Sequence, residues 1–136
     1  MHRLQQERLN ASALVAAAAG GLGFLYVFDP ASSDVYPTCP FLALTGCYCP
    51  GCGTLRGLHQ LTHGHLISAL DLNLLMMLSL PFVGYFFASQ AMLAINGRPL
   101  RTFFVRPTLI WMLLGFILVY WVLRNIPVYP FSLLAP

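Results

Sequence analysis

Polar positions along the chain are gathered into short runs, and three stretches between them are long and apolar: roughly Ala11–Phe28, Leu74–Ile95 and Pro107–Leu123. None holds a charged residue, and each approaches the roughly 20 helical residues that cross a ~30 Å hydrocarbon core. The pattern predicts helices, since an isolated strand in lipid would leave its backbone groups unpaired. Ala16 to Ala19 with Gly20 and Gly21 give the first stretch a small-residue face, and Pro81 predicts a kink near Met77–Pro81 in the second. A different pattern follows Gly53. Leu55, Leu58 and Leu61 or Thr62 recur on one helical face, with Arg56, His59, Gln60 and His63 on the other. That period predicts a short amphipathic helix at the outer membrane surface, stopped or bent at Gly64, with His65 opening the next helical segment. The expected fold is an all-α integral membrane protein forming a single domain over 1–136. It has three transmembrane helices, plus a surface helix after a Cys/Pro/Gly-rich loop within 29–70.

Composition supports this reading. Of 136 residues, 58% are apolar and 8% charged, against about a quarter charged in soluble domains. With mean hydropathy at +0.73, an ordinary cytosolic enzyme and a disordered chain are both excluded. A net charge of +3 spread over separate places is no nucleic-acid footprint. Arg3, Arg8, Arg98, Arg101 and Arg106 fall on one side of the spans, and only Arg56 and Arg124 on the other. The positive-inside rule then places the N-terminus in the cytoplasm and the Cys loop and C-terminus outside. Asp29, Asp34 and Asp71 share the outer side, and Trp111 and Trp121 stand toward opposite ends of the third span as interfacial anchors. A cleaved signal peptide is the rival reading of the first span, but its apolar core is long and no small-x-small site follows Phe28. Asp71 and Asn73 read as polar caps at the entry to the second span. Nothing ionisable lies deep in any span, and no internal repeat is visible, which argues against a channel or carrier.

The outer loop carries the chemistry. Cys39, Cys47, Cys49 and Cys52 are the only cysteines, interleaved with Pro37, Pro40, Pro50 and Gly46, Gly51, Gly53. Pro fixes backbone angles and Gly frees them, so the segment predicts a tight loop with set thiol positions and a turn at Pro50-Gly51. Three readings stand side by side. A disulfide, such as Cys39 to Cys49 or Cys52, would staple an exterior loop. Thiolates at C-x-x-C spacing would grip zinc or iron, with Cys39 and either Cys47 or a His completing the set. A dithiol ahead of a helix would serve redox exchange, with the macrodipole lowering the pKa of Cys52.

His59 and His63, at i and i+4, have the spacing of a shared metal, although a solvated polar face is the plainer reading. Arg56, one turn from Cys52, would stabilise a thiolate or a headgroup phosphate, or serve as a surface anchor. No Ser/His/Asp order, phosphate loop or paired carboxylate is present, and four acids leave little for acid–base catalysis.

Cys39-Pro40, Leu44-Thr45-Gly46, Cys49-Pro50-Gly51-Cys52-Gly53, Thr54 and Arg56 together resemble the bacterial family of small membrane proteins known as domain of unknown function 2752. Leu61, His63, Gly64 and Asn73 also fit its pattern, as do Arg124-Asn125 with Pro127 and Leu133 to Pro136. His65 stands where the family has an acid, and Leu74 where it has Pro. The resemblance implies a membrane protein with Cys39, Cys49 and Cys52 as the working trio, because Cys47 falls at a variable position. It implies no reaction. The leading functional expectation is a non-enzymatic accessory subunit or scaffold, with the bilayer and other membrane subunits as partners. The alternative is a metal-binding or thiol-redox membrane protein using the trio.

Overall fold

The computed structural model describes residues 2–33, 35–101 and 106–135. Asp34, one of the three acids expected on the outer side, and Pro136 of the tail motif lie outside the described residues. Among the described residues six α-helices follow in order: α1 His2–Val27, α2 Pro40–Thr45, α3 Thr54–Thr62, α4 Leu66–Leu72, α5 Leu74–Asn96 and α6 Pro107–Leu123. A 3-10 turn at Phe131–Leu134 closes the chain, and no strand occurs among the described residues.

Two helices, α1 with 26 residues and α5 with 23, are long and apolar enough to cross a membrane. The third expected span, α6, has the predicted bounds, but its 17 residues give a rise of only about 26 Å. Large apolar side chains on α5 and α6 point outward, with Phe82 77% and Trp111 72% exposed. Water-soluble proteins seldom leave so many large apolar side chains of one helix bare.

Helix α1 begins nine residues before the apolar stretch, because Arg, Gln, Glu and Leu in residues 3–9 are all good helix formers. Helix α5 runs unbroken through Pro81. Helix α2 is an element that the pattern of prolines and glycines hides. Pro40 occupies its first turn, where a missing N–H costs nothing, and Gly46 ends it at φ +70°.

The chain divides into two compact units. In the first, the part of α1 up to Phe24 joins α5 from Ser79 onward. Arg8 donates from Nε to the carbonyl of Ala94 and from Nη2 to that of Ile95, both at 3.1 Å. These belong to the last turn of α5, whose carbonyls lack intrahelical partners and carry the negative end of the helix dipole. One cation therefore closes a helix end 86 residues away.

The second unit runs from Leu25 to Leu78 and takes in α6 and the tail. Here α3 packs on α4 through Gly57, where a Cβ would stand 2.7 Å from Met76 Cε and 3.4 Å from the Ala69 carbonyl. Helix α3 has the expected span and two-faced pattern, and one residue of it needs correcting: His59, on the expected solvated face, is largely covered. His59 Nδ1–H donates to the Leu25 carbonyl at 2.7 Å, one of the partnerless carbonyls in the last turn of α1. His63 adds a parallel stack on Tyr26, with centroids 4.4 Å apart.

Candidate metal centre in the Cys39–Cys52 loop

Each sulfur is set by local backbone. Cys39 is the residue before α2, held extended at φ −59° and ψ 116°, as the residue before a proline prefers. Cys49 to Cys52 form a turn in which Cys52 N donates to the Cys49 carbonyl at 3.1 Å. Cys49 N donates to Cys52 Sγ at 3.2 Å. Gly53 then reverses the chain at φ +84° and caps α3, a conformation that costs a side-chain-bearing residue about 1–2 kcal/mol.

This backbone brings three sulfurs to one place. Cys49 Sγ lies 3.0 Å from Cys52 Sγ and 3.6 Å from Cys39 Sγ, and all three lie within 4.8 Å of one another. Thiolates bound ~2.3 Å from a single zinc at tetrahedral angles stand about 3.8 Å apart, so the cluster has the span that one such ion requires. The covalent staple expected as one reading is not formed. All four cysteines are free, and the sulfur separations exceed the roughly 2.05 Å of a disulfide. Three sulfurs converging on a common point suit a shared ligand better than a pair with a spare.

The other sequence candidates separate from the cluster. Cys47 is exposed and lines a different groove with Phe41 and Trp121. The two histidines are engaged at the end of α1, and neither joins the three-sulfur group. Thr45 closes α2, donating to the Phe41 carbonyl at 2.7 Å and accepting from Cys47 N at 3.2 Å. Arg56 is half-buried and lines a cleft of about 470 Å³ together with Cys39, Cys49 and Cys52.

Asn73 is more than a cap. It is 1% exposed, and its Oδ1 accepts Met76 N at 2.9 Å, securing the first turn of α5. Its Nδ2 is within reach of the Pro50 carbonyl at 3.0 Å, and of the Cys52 carbonyl and Thr54 Oγ1 at 3.1 Å each. Arg124, in the sequence an outer-side charge and part of the tail motif, also binds this turn. Also 1% exposed, it donates from Nη1 to the Cys49 and Pro50 carbonyls at 3.2 Å and from Nη2 to the Cys52 carbonyl at 3.1 Å. Its carbon Cζ stands 5.2 Å from the centre of the Tyr120 ring, and its buried Nε has no partner among the described residues. Asn125 pairs with Tyr48 in both directions, N–H to Oδ1 at 2.7 Å and Nδ2–H to carbonyl at 2.9 Å. The signals of this clamp in the sequence are a cation and an amide directly after an apolar helix, and their place in the tail pattern of the family that the chain resembles.

The thiols differ in acidity, and not as the helix dipole alone suggests. Burial, helped by the Cys49 side chain, pushes Cys52 up from 9.0 to about 12. At the start of α2, the Leu42 backbone N–H holds Cys39 below its ordinary value. The expected lowering at Cys52 therefore falls at Cys39, because desolvation at a buried thiol outweighs the pull of a short helix. For metal-free protein, alkylation near neutral pH should modify Cys39 ahead of Cys52, read as site-resolved mass increments over time. A thiol with a raised folded pKa stabilises the fold below its unfolded value and loses that contribution above it. Metal-free protein should thus weaken between about pH 9 and pH 12, and a melting temperature flat across that window would contradict this assignment.

No curated protein and no solved structure matches the chain. Residues 39–87, from the first of the three converging cysteines into α5, match the model of the family described as "Protein of unknown function (DUF2752)", the family that the motif resembles.

Proposed function

We propose that the chain is a small multi-pass membrane protein whose Cys39, Cys49 and Cys52 bind one zinc or iron ion in an extracytoplasmic cap, and that it serves as an accessory component of a larger membrane assembly. The observation that carries the metal reading is the convergence of three thiol sulfurs within 4.8 Å, on a turn whose carbonyls are held by two buried side chains. Sulfur donors at this spacing favour borderline-soft ions over magnesium or calcium, which take oxygen. Three thiolates on a divalent ion leave one negative charge, and the buried Arg124 guanidinium is bound to the backbone of the turn that carries two of them.

Membrane placement rests on the length of α1 and α5 and on the bare apolar surface of α5 and α6. In a bilayer, α6 with its flanking residues would form the third span. Arg8 on the last carbonyls of α5 supports a common side for the N-terminus and for Arg98 and Arg101, which the arginine bias makes cytoplasmic. The accessory role follows from apolar helices that offer packing surface and from a chain with little polar equipment beyond the cluster.

Metal analysis of the purified chain tests the reading. About one zinc or iron per chain, lost in Cys49→Ser and retained in Cys47→Ser, is the expected result. A mass two hydrogens lower for each cysteine pair, reversed by reductant and accompanied by no metal, would replace it with a disulfide staple.

A further inference from the structure

The cleft beside the sulfurs is larger than a structural metal requires. Structural zinc sites are closed by four protein ligands, whereas working sites keep a position open for an exogenous ligand. Among the described residues, the group able to share an ion holds three ligands and no fourth. Cys47 and the two histidines, the natural candidates for closing it, are placed elsewhere. All three cysteines line a cleft of about 470 Å³, together with Tyr36, Thr38, Tyr48, Thr54 and Arg56. That volume falls in the range that holds small molecules and far exceeds what one ligand atom needs.

Charge narrows the occupant. Arg124, buried under the turn, is taken up by the Cys49, Pro50 and Cys52 carbonyls and does not line the cleft. Arg56 is a second cation, and it lines the cleft. We propose that the fourth coordination position opens into this cleft and takes the sulfur of a small acidic thiol, whose carboxylate pairs with Arg56. The inference rests on the metal reading above. On binding, the ligand's S–H bond breaks and its proton passes to solvent, while the sulfur lone pair enters the coordination sphere in place of solvent. No electron changes hands. Arg56 is suited to the carboxylate because its planar fork matches two oxygens at once.

The full chain in detergent, loaded with cobalt(II), separates the two levels of the argument. A sulfur-to-cobalt charge-transfer band reports the three-cysteine centre, and its absence would overturn the metal reading and this inference with it. With the band present, mercaptoacetate should shift the visible ligand-field bands at low concentration. Mercaptoethanol, which lacks the carboxylate, should need about tenfold more. Arg56→Gln should erase that difference while leaving the mercaptoethanol titration in place, and Arg56→Lys should restore only part of it. Ligand-field bands unmoved by either thiol would mean a closed site and overturn the inference while the metal reading stands. Equal affinities for the two thiols in the unsubstituted protein, or release of cobalt by both, would overturn it as well.

Discussion

Replacing Arg124 by Met is expected to lower stability by about 2–4 kcal/mol, as charge-assisted hydrogen bonds to three carbonyls disappear, and to weaken metal retention about 10–100-fold. Three N–H···O bonds at 3.1–3.2 Å tie one guanidinium to Cys49, Pro50 and Cys52. These are the carbonyls of the turn that aims two of the three sulfurs. Burying a lone cation is itself costly, so well-packed apolar replacements of buried charges are sometimes neutral. The balance differs here because the guanidinium binds three backbone carbonyls of one turn, and an apolar side chain offers none of those donors. Arg124→Lys should recover part of the stability and little of the metal affinity, since an ammonium is a point charge that cannot span three acceptors as a fork does. Melting in detergent and competition with a chelator read the two effects. An Arg124→Met protein with unaltered values in both would show the clamp to be incidental.

Asn73→Ala should be comparably damaging, at about 2–4 kcal/mol, because it removes the cap on Met76 N and one of the two side chains that hold the Pro50 and Cys52 carbonyls. The amide has two tasks: Oδ1 caps Met76 N, and the two Nδ2 hydrogens are shared among the Pro50 and Cys52 carbonyls and Thr54 Oγ1. Asn73→Asp separates them. A carboxylate still accepts from Met76, but it offers no donor to the turn and adds negative charge beside the thiols. The aspartate variant should keep most of the helical signal and thermal stability that the alanine variant loses, and yet release metal at least tenfold more readily. Equal metal affinity in Asn73→Asp and the unsubstituted chain would mean that the turn holds its shape without the amide.

How much of this was legible beforehand follows the range of the forces involved. Helices α5 and α6 were readable almost to the residue, because long apolar runs and the prolines and glycines that bound them are local signals. The turn at Pro50-Gly51, the stop at Gly64 and the resumption at His65 were equally plain. Helix α2 was not, since Pro37, Pro40 and Gly46 read as loop until Pro40 is placed at a first helical turn. The membership of the three-sulfur group came from the family resemblance, as spacing alone left Cys47 and the histidines in contention. The place of His59 depends on a carbonyl 34 residues earlier in the chain, and that of Arg124 on a turn more than 70 residues away. Local pattern carries no trace of such pairings. The acidity of Cys52 was misjudged for a related reason: the helix behind it is visible in the sequence, but the burial around it is not.

The reach of Arg124 and Asn125 back to residues 48–52 also sets an order of assembly during synthesis. The four residues of the CPGC turn leave the ribosome long before the cation and amide that fix them have been translated. Until α6 and the residues after it have emerged, Asn73 is the one of these three polar anchors available to the turn. A ribosome stalled short of position 124 would therefore carry every sulfur of the centre with Asn73 in place but without the Arg124 and Asn125 half of the clamp.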